Sequence, residues 1–311
     1  MCGVIGVEVW NVKKLKTELR WVFNNQRSRG VQGFGVGLRS GASGKMYRER
    51  TTTEKGIFNS DIWGMVEEGD HLIFHHRIPT TTYNAIKCNH PISNEGGDLL
   101  LVHNGHVAMK HAEKLQLSHA FETLTEVEMI DVRGQTVEVV EEYTDSEVAV
   151  HLFEEVMLSS GSVKTSLNML GEMGCGVFLM LKSDTKGVLI SGGGLFGTPL
   201  THFWGSSGNC YVASVAPVGA SCVFDVCGVS GILVDGAVEV LDRAGAGKYQ
   251  EALQEPRKVV TPVWKSGYTS FKSCPTCGSY VAEDKLKTKL VVKKDDDWEG
   301  WQQSQYGRFG W

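Results

Sequence analysis

The sequence predicts an α+β fold of layered sheets with helices on the outside. Two observations carry that reading. Short apolar, β-branched runs bounded by turn residues recur from one end of the chain to about residue 241. Between them lie segments whose apolar residues fall at helical spacing, which excludes an all-helical protein and an all-strand one alike. Thirty-seven glycines add that the backbone approaches its neighbours closely in many places.

The elements follow in order. Residues 2–9, CGVIGVEV, read as a buried strand. Leu15, Leu19, Val22 and Phe23 fall at i, i+4, i+7 and i+8 and predict a helix. Strands are predicted over 34–38, 46–50 and 72–77, the last ending at Arg77. Asn89-His90-Pro91 and an acidic, glycine-bearing turn at 94–98 precede a buried strand from Leu99 to Val102, which runs into His103-Asn104-Gly105. A helix over 107–117 and a hairpin around Arg133-Gly134 are expected next. Thr144-x-x-Glu147 has the form of a capping box, opening a helix with Val148, Leu152, Phe153 and Val156 on one face. A short helix near 163–171 leads to paired strands at 176–181 and 187–191, then to strands at 211–215, 222–226, 231–234 and 237–241. Beyond about residue 243 the composition changes: 243–272 reads as a linker, 273–294 carries Cys274-Pro-Thr-Cys277-Gly278, and 295–311 is an acidic and aromatic tail expected to be disordered.

Composition narrows the function classes. Hydrophobic residues make up 41% and charged residues 22%, ordinary for a soluble globular chain. A net charge of −5 argues against a nucleic-acid surface. No apolar run reaches the roughly 18–20 residues that span a membrane, and Glu8, Lys13, Lys14 and Lys16 break up any signal-peptide core. Eight cysteines without framework spacing fit a reducing cytoplasm.

Met1-Cys2-Gly3 carries the sharpest chemical signal. Methionine is trimmed in front of a residue as small as cysteine, which puts a free α-amine on the same residue as the thiol. The amine titrates near about 7.7–8.0 and the thiol near about 8.5, so the amine is a usable base for its own nucleophile at neutral pH.

Five ordered motifs accompany that cysteine: Arg29-Gly30-Val31-Gln32-Gly33-Phe34-Gly35, His75-His76-Arg77-Ile78-Pro79-Thr80, His90-Pro91, His103-Asn104-Gly105 and Thr144-Asp145-Ser146-Glu147. With the terminal Cys-Gly they resemble the class II glutamine amidotransferases, N-terminal-nucleophile glutaminases, over residues 1–242. Weaker echoes follow at 194–200 and 212–214. The resemblance implies a four-layer αββα sandwich of two mostly antiparallel sheets. It implies that Cys2 attacks the glutamine side-chain amide and forms a γ-glutamyl thioester. Asn104 and Gly105 then hold the oxyanion, and Arg29 lies on the nucleophile side. Arg77 with Thr80 takes the α-carboxylate, Asp145 the α-ammonium, and His90 lies among the substrate-binding residues. These assignments suit the substrate: a carboxylate is gripped bidentately by a guanidinium, and an aspartate in the first turn of a helix stays ionised. Three departures stand out. Gln32 replaces the usual aspartate, Ile78-Pro79 replaces the usual aromatic-small pair, and the interval from Gly105 to Asp145 is long, so an extra hairpin is expected there.

His75, His76, His90 and His103, on strand ends without acidic partners, read as hydrogen-bonded structural groups and not as metal ligands. Ser191-Gly-Gly-Gly194 lacks the residues that follow a phosphate-binding loop and reads as a turn. Cys274 and Cys277 offer two of the four ligands a structural zinc wants; completion across a homodimer or with a partner stays open beside a reduced turn. The glutaminase chemistry itself requires no cofactor. About 70 residues follow the motif-bearing part, too few for the ammonia-consuming domains of the family. The expectation is therefore a subunit that feeds ammonia to a separately encoded synthase or ligase, docking through the knuckle and tail. Two rivals remain: an N-terminal-nucleophile amide hydrolase with another γ-glutamyl or acyl substrate, which would not need both Arg77 and Asp145, and an inactive docking module, which would keep Met1.

Overall fold

The structure is a computed structural model that describes residues 2–78, 86–109, 112–130, 136–192, 199–226, 228–243 and 289–291. Thr80, the 194–198 echo, Cys274, Cys277 and the acidic tail lie outside the described residues. The chain divides into two compact units, Met1–Thr123 with Tyr143–Ser266, and Leu124–Glu142 with Gly267–Trp311.

In the first unit the strands are Gly3–Glu8 (β1), Gly33–Arg39 (β2), Met46–Thr51 (β3), His71–Arg77 (β4), Ile92–Ser93 (β5) and Leu99–Val107 (β6). The second unit contributes Thr125–Ile130 (β7) and Thr136–Glu142 (β8). The first unit resumes with Gly174–Lys182 (β9), Thr185–Gly192 (β10), Thr201–Trp204 (β11), Cys210–Ala213 (β12), Ser221–Asp225 (β13), Val229–Val234 (β14) and Ala237–Arg243 (β15). Its helices are Val12–Asn25 (α1), Glu54–Asn59 (α2), Ala112–Gln116 (α3), Asp145–Ser160 (α4) and Val163–Met173 (α5). None of the described helices is long and apolar enough to cross a membrane.

Two antiparallel sheets form the first unit, in the orders β13-β11-β12-β1-β4-β2-β3 and β15-β14-β10-β9-β6-β5. Strand alternation builds the layers. In β1, Val4 faces the second sheet while Ile5 and Val7 face α1. In β6, Leu100 and Val102 face the first sheet while Leu99 and Leu101 face α4 and α5. The apolar stripe of α1, Leu15, Leu19, Val22 and Phe23, is fully buried, as its spacing predicts. The result is helix, sheet, sheet, helix, the four-layer αββα sandwich the sequence led us to expect.

The sheets approach closely where side chains are missing. A Cβ on Gly6 would lie 2.8 Å from Val212 and 3.1 Å from Val188, the latter on the opposite sheet. A Cβ on Gly35 would lie 1.7 Å from the carbonyl oxygen of His90, the residue before the cis-Pro91.

Several elements differ from expectation. The strand expected to end at Val102 continues to Val107, because β9 pairs with it along its whole length, from Leu99↔Lys182 to Val107↔Gly174. The helix expected over 107–117 shrinks to Ala112–Gln116 accordingly. Strands β5 and β11 and helix α2 are too short for periodicity to reveal. Thr144 caps α4 by accepting from the Glu147 amide at 3.3 Å. Glu147 does not close the box, however: its carboxylate takes the amide of Thr123 at 2.9 Å, and the Thr123 hydroxyl takes the Thr144 amide at 2.9 Å.

The second unit contains the hairpin expected between Gly105 and Asp145. Strands β7 and β8 pair from Thr125↔Glu142 to Ile130↔Thr136, and Lys289–Val291 (β16) adds a third strand against β7.

The glycine contacts set a stability test. Gly35→Ala must displace backbone and is expected to cost at least about 1–3 kcal/mol. Gly64→Ala, at an exposed position with nothing within 4 Å, should change stability by less than about 0.5 kcal/mol. Urea denaturation of the two variants checks the contrast.

Candidate active site

The site forms where strand ends of the two sheets converge. β1 pairs with β4 so that Gly3 faces His76, which brings Cys2 alongside the end of β4. The Cys2 sulfur accepts the Ile78 amide at 3.4 Å and contacts the Ile78 carbonyl oxygen at 3.6 Å. β2 flanks β4 on its other side, with Gly33 opposite Arg77. His75 Nε2 donates to the His103 carbonyl at 3.1 Å, tying the first sheet to β6 one residue before Asn104.

The glycines of 29–35 are explained by what presses on them. A Cβ on Gly30 would lie 2.6 Å from the Arg77 backbone, and one on Gly33 would lie 2.2 Å from the Asn89 side-chain oxygen. Only a bare backbone lets Asn89 sit there, and Asn89 in turn accepts from the Arg77 guanidinium at 3.1 Å while donating to the Thr51 carbonyl at 3.1 Å. Asn89 is thus a positioning residue for Arg77. It lay inside the Asn-His-Pro segment, but nothing in the sequence paired it with the arginine.

Arg29 is buried, and its guanidinium donates to the Cys2 backbone carbonyl at 3.4 Å. It therefore stands on the nucleophile side, holding main chain, while Arg77 is among the cations whose charge bears on the sulfur. Burial pushes the Cys2 thiol up, against the Ile78 hydrogen bond and the Arg77 charge, which pull it down. Cys2, Arg77 and Asp145 lie within electrostatic reach of one another.

Asp145 is the first residue of α4. Burial pushes its carboxyl up, but the hydrogen bond from His106, the His103 imidazole and the Val107 amide outweigh this and hold it below the usual aspartate value. The Val107 amide donates at 2.8 Å and His106 Nδ1 lies at 3.3 Å. His106 directly follows the His-Asn-Gly motif, but nothing in the sequence pairs it with Asp145.

Asn104 is buried, and its side-chain Nδ2 has no hydrogen-bond partner among the described residues. A buried amide donor without an acceptor is costly and calls for an explanation. Gly105, by contrast, is exposed and lies at φ 152°, opposite Gly176 at φ 153°. A Cβ on Gly176 would fall 2.3 Å from the Asn104 carbonyl oxygen.

His90 sits beneath these groups. Its Nδ1 accepts the His103 amide at 3.1 Å and its ring stacks on His75 at 4.0 Å. His76 Nδ1 donates to the Gly30 carbonyl at 3.1 Å. Burial is the main reason that His76 falls to about 3 and His103 to about 4.

Among the solved structures that resemble this chain, two share its fold over most of its length. One is glutamine phosphoribosylpyrophosphate amidotransferase from B. subtilis in complex with ADP and GMP, at 21% identity and a TM-score of 0.52, covering 78% of this chain and 49% of that one. The other is described as the allosteric regulatory enzyme of purine biosynthesis, at 21% identity and a TM-score of 0.53, with the same coverages of 78% and 49%. The fold is that of a class II glutamine amidotransferase domain. The chain spans about half the length of either enzyme. No protein-family model matches the sequence, and a comparison with curated proteins finds no match.

The buried histidines of this amidotransferase fold give it a pH signature. His71, at about 4, joins His76 and His103 as groups whose folded values lie below the unfolded value near about 6.5. Their contribution is complete above pH ~6.5 and is lost as pH falls toward the folded values, because the unfolded chain binds the protons first. Each contributes a slope of up to about 1.4 kcal/mol per pH unit in that window. Denaturation midpoints should therefore fall steeply from pH 6.5 to 4.5, and less steeply in His76→Gln; an unchanged slope in that variant contradicts the assignment.

Proposed function

We propose that the protein is a glutaminase of the N-terminal-nucleophile type, hydrolysing L-glutamine to glutamate and ammonia. The observation that carries the reading is the grouping of a thiol, a guanidinium and a carboxylate within electrostatic reach, together with a buried Asn104 amide donor that lacks an acceptor among the described residues. An amino acid with a side-chain amide needs each of these groups, and needs them together.

Removal of Met1 frees the α-amine of Cys2. Because burial raises the thiol, the reaction calls for a base at the sulfur and not for a standing thiolate. The amine takes the thiol proton as sulfur bonds to the glutamine Cδ. The carbonyl electron pair moves onto oxygen, where the Asn104 amide and the Gly105 N–H stabilise it. The oxyanion then collapses, the C–N bond breaks, and the amine's proton leaves with ammonia. A γ-glutamyl thioester remains. Water, deprotonated by the same amine, attacks the thioester; the C–S bond breaks, and glutamate and the free thiol return.

Arg77, held by Asn89, pairs with the substrate α-carboxylate, with Thr80 as a further ligand. Asp145, held ionised by His106 and the Val107 amide, pairs with the α-ammonium. Arg29 fixes the Cys2 main chain. His90 acts beneath the substrate, seating Gly35 and the His103 amide. Hydrolysis alone wastes the amide nitrogen, so we assign the ammonia to an ammonia-accepting synthase or ligase.

Steady-state kinetics on purified protein test the proposal. Cys2→Ser should abolish glutamate release. Asn104→Ala should lower kcat by about 10²–10³ with little change in KM. Arg77→Lys should chiefly raise KM, because an ammonium cannot replace a bidentate fork. Undiminished glutamate release from Cys2→Ser would remove the mechanism.

A further inference from the structure

Away from the active site, the first unit gathers Glu95, His119, His151 and Glu154, each offering one ligand atom, all within 4.8 Å of one another. Glu95 lies in the turn before β6, His119 just after α3, and His151 and Glu154 one turn apart on α4. The Nδ1 nitrogens of both histidines approach Oε2 of both glutamates, and Glu95 Oε1 also lies 3.3 Å from His119 Nδ1. Glu95 Oε2 lies 3.4 Å from His119 Nδ1 and 3.5 Å from His151 Nδ1. Glu154 Oε2 lies 3.7 Å and 3.6 Å from the same two nitrogens. Ligand atoms bound to one ion at about 2.0–2.2 Å lie about 3–3.5 Å from their neighbours, close to these four distances.

The surroundings aim the ligands. Glu95 spends Oε1 on the Ala120 amide at 2.7 Å, and Glu154 spends Oε1 on the Asn94 side chain at 2.9 Å, so each turns its second oxygen inward. His119 Nε2 faces the Glu155 carboxylate at 3.0 Å, a contact that keeps the proton on Nε2 and leaves the Nδ1 lone pair for the cluster. His151 is fully buried, and among the described residues neither of its ring nitrogens makes a hydrogen bond; Glu154 Oε2 is likewise buried without one there. Two carboxylates and two imidazoles converge in a partly buried cluster, a donor set whose two negative charges one divalent cation would balance. Paired imidazoles disfavour calcium and magnesium and suit zinc.

We propose that Glu95, His119, His151 and Glu154 form a structural zinc site. The ion staples the turn before β6 and the segment after α3 to the helix that begins with Asp145. The site is independent of the glutaminase reading and of the Cys274/Cys277 pair.

The test uses the full chain carrying Cys274→Ser and Cys277→Ser, stripped with a chelator and titrated with Zn²⁺. The expected result is one zinc per chain and a Tm rise of about 5–10 °C at zinc 100-fold above its Kd. Co²⁺ in place of zinc should give tetrahedral visible bands without a thiolate charge-transfer band. Glu155→Gln should weaken zinc about 10–100-fold. Glu154→Gln, which preserves the Asn94 contact and the packing, should weaken it further. Zinc lost on removing the two cysteines, or bound with undiminished affinity by Glu154→Gln, overturns the proposal.

Discussion

The candidate site depends on one inter-sheet contact, the hydrogen bond from His75 Nε2 to the His103 carbonyl. It joins β4, which ends in Arg77, to β6, which carries Asn104, and it forms only because the two sheets pack closely at positions without side chains. Gly6 and Gly35 are such positions. A methyl group there would push the layers apart and separate the two halves of the site.

Around that contact the charges are arranged in a consistent sense. The histidines beneath the site are buried and held neutral, so their protons stay on the nitrogens that donate to backbone carbonyls. The formal charges near Cys2 include Arg77 and Asp145, each oriented by its own partner, Asn89 and His106. An arginine and an aspartate within electrostatic reach of each other and of a thiol are suited to a ligand bearing both a carboxylate and an ammonium. The Asn104 amide is the complementary neutral feature, a donor whose acceptor is to be supplied by substrate.

Much of this was legible in the chain. The αββα layering followed from strand and helix periodicity together with the family resemblance, and Cys2, Arg29, Arg77, Asn104 and Asp145 followed from ordered motifs. What was not legible depends on through-space partners. Asn104-Gly105 has the composition of a turn but stays in a strand, because pairing with β9 outweighs local preference. Glu147 fits a capping box by spacing, yet Thr123 offers its carboxylate better partners. Asn89 finds Arg77 only through the backbone of β2. The Glu95, His119, His151 and Glu154 cluster spans three separate segments, and the i, i+3 pair on α4 was its one local sign.

The central claim is that the thiol of Cys2 becomes covalently bonded to the γ-carbonyl of glutamine. Acid quenching of a single turnover with isotopically labelled L-glutamine, followed by peptide mass analysis, tests it directly. The account requires label as a γ-glutamyl thioester on a peptide that begins at Cys2, with Met1 gone. Labelled glutamate formed without labelled peptide, or label on a peptide that retains Met1, would contradict it.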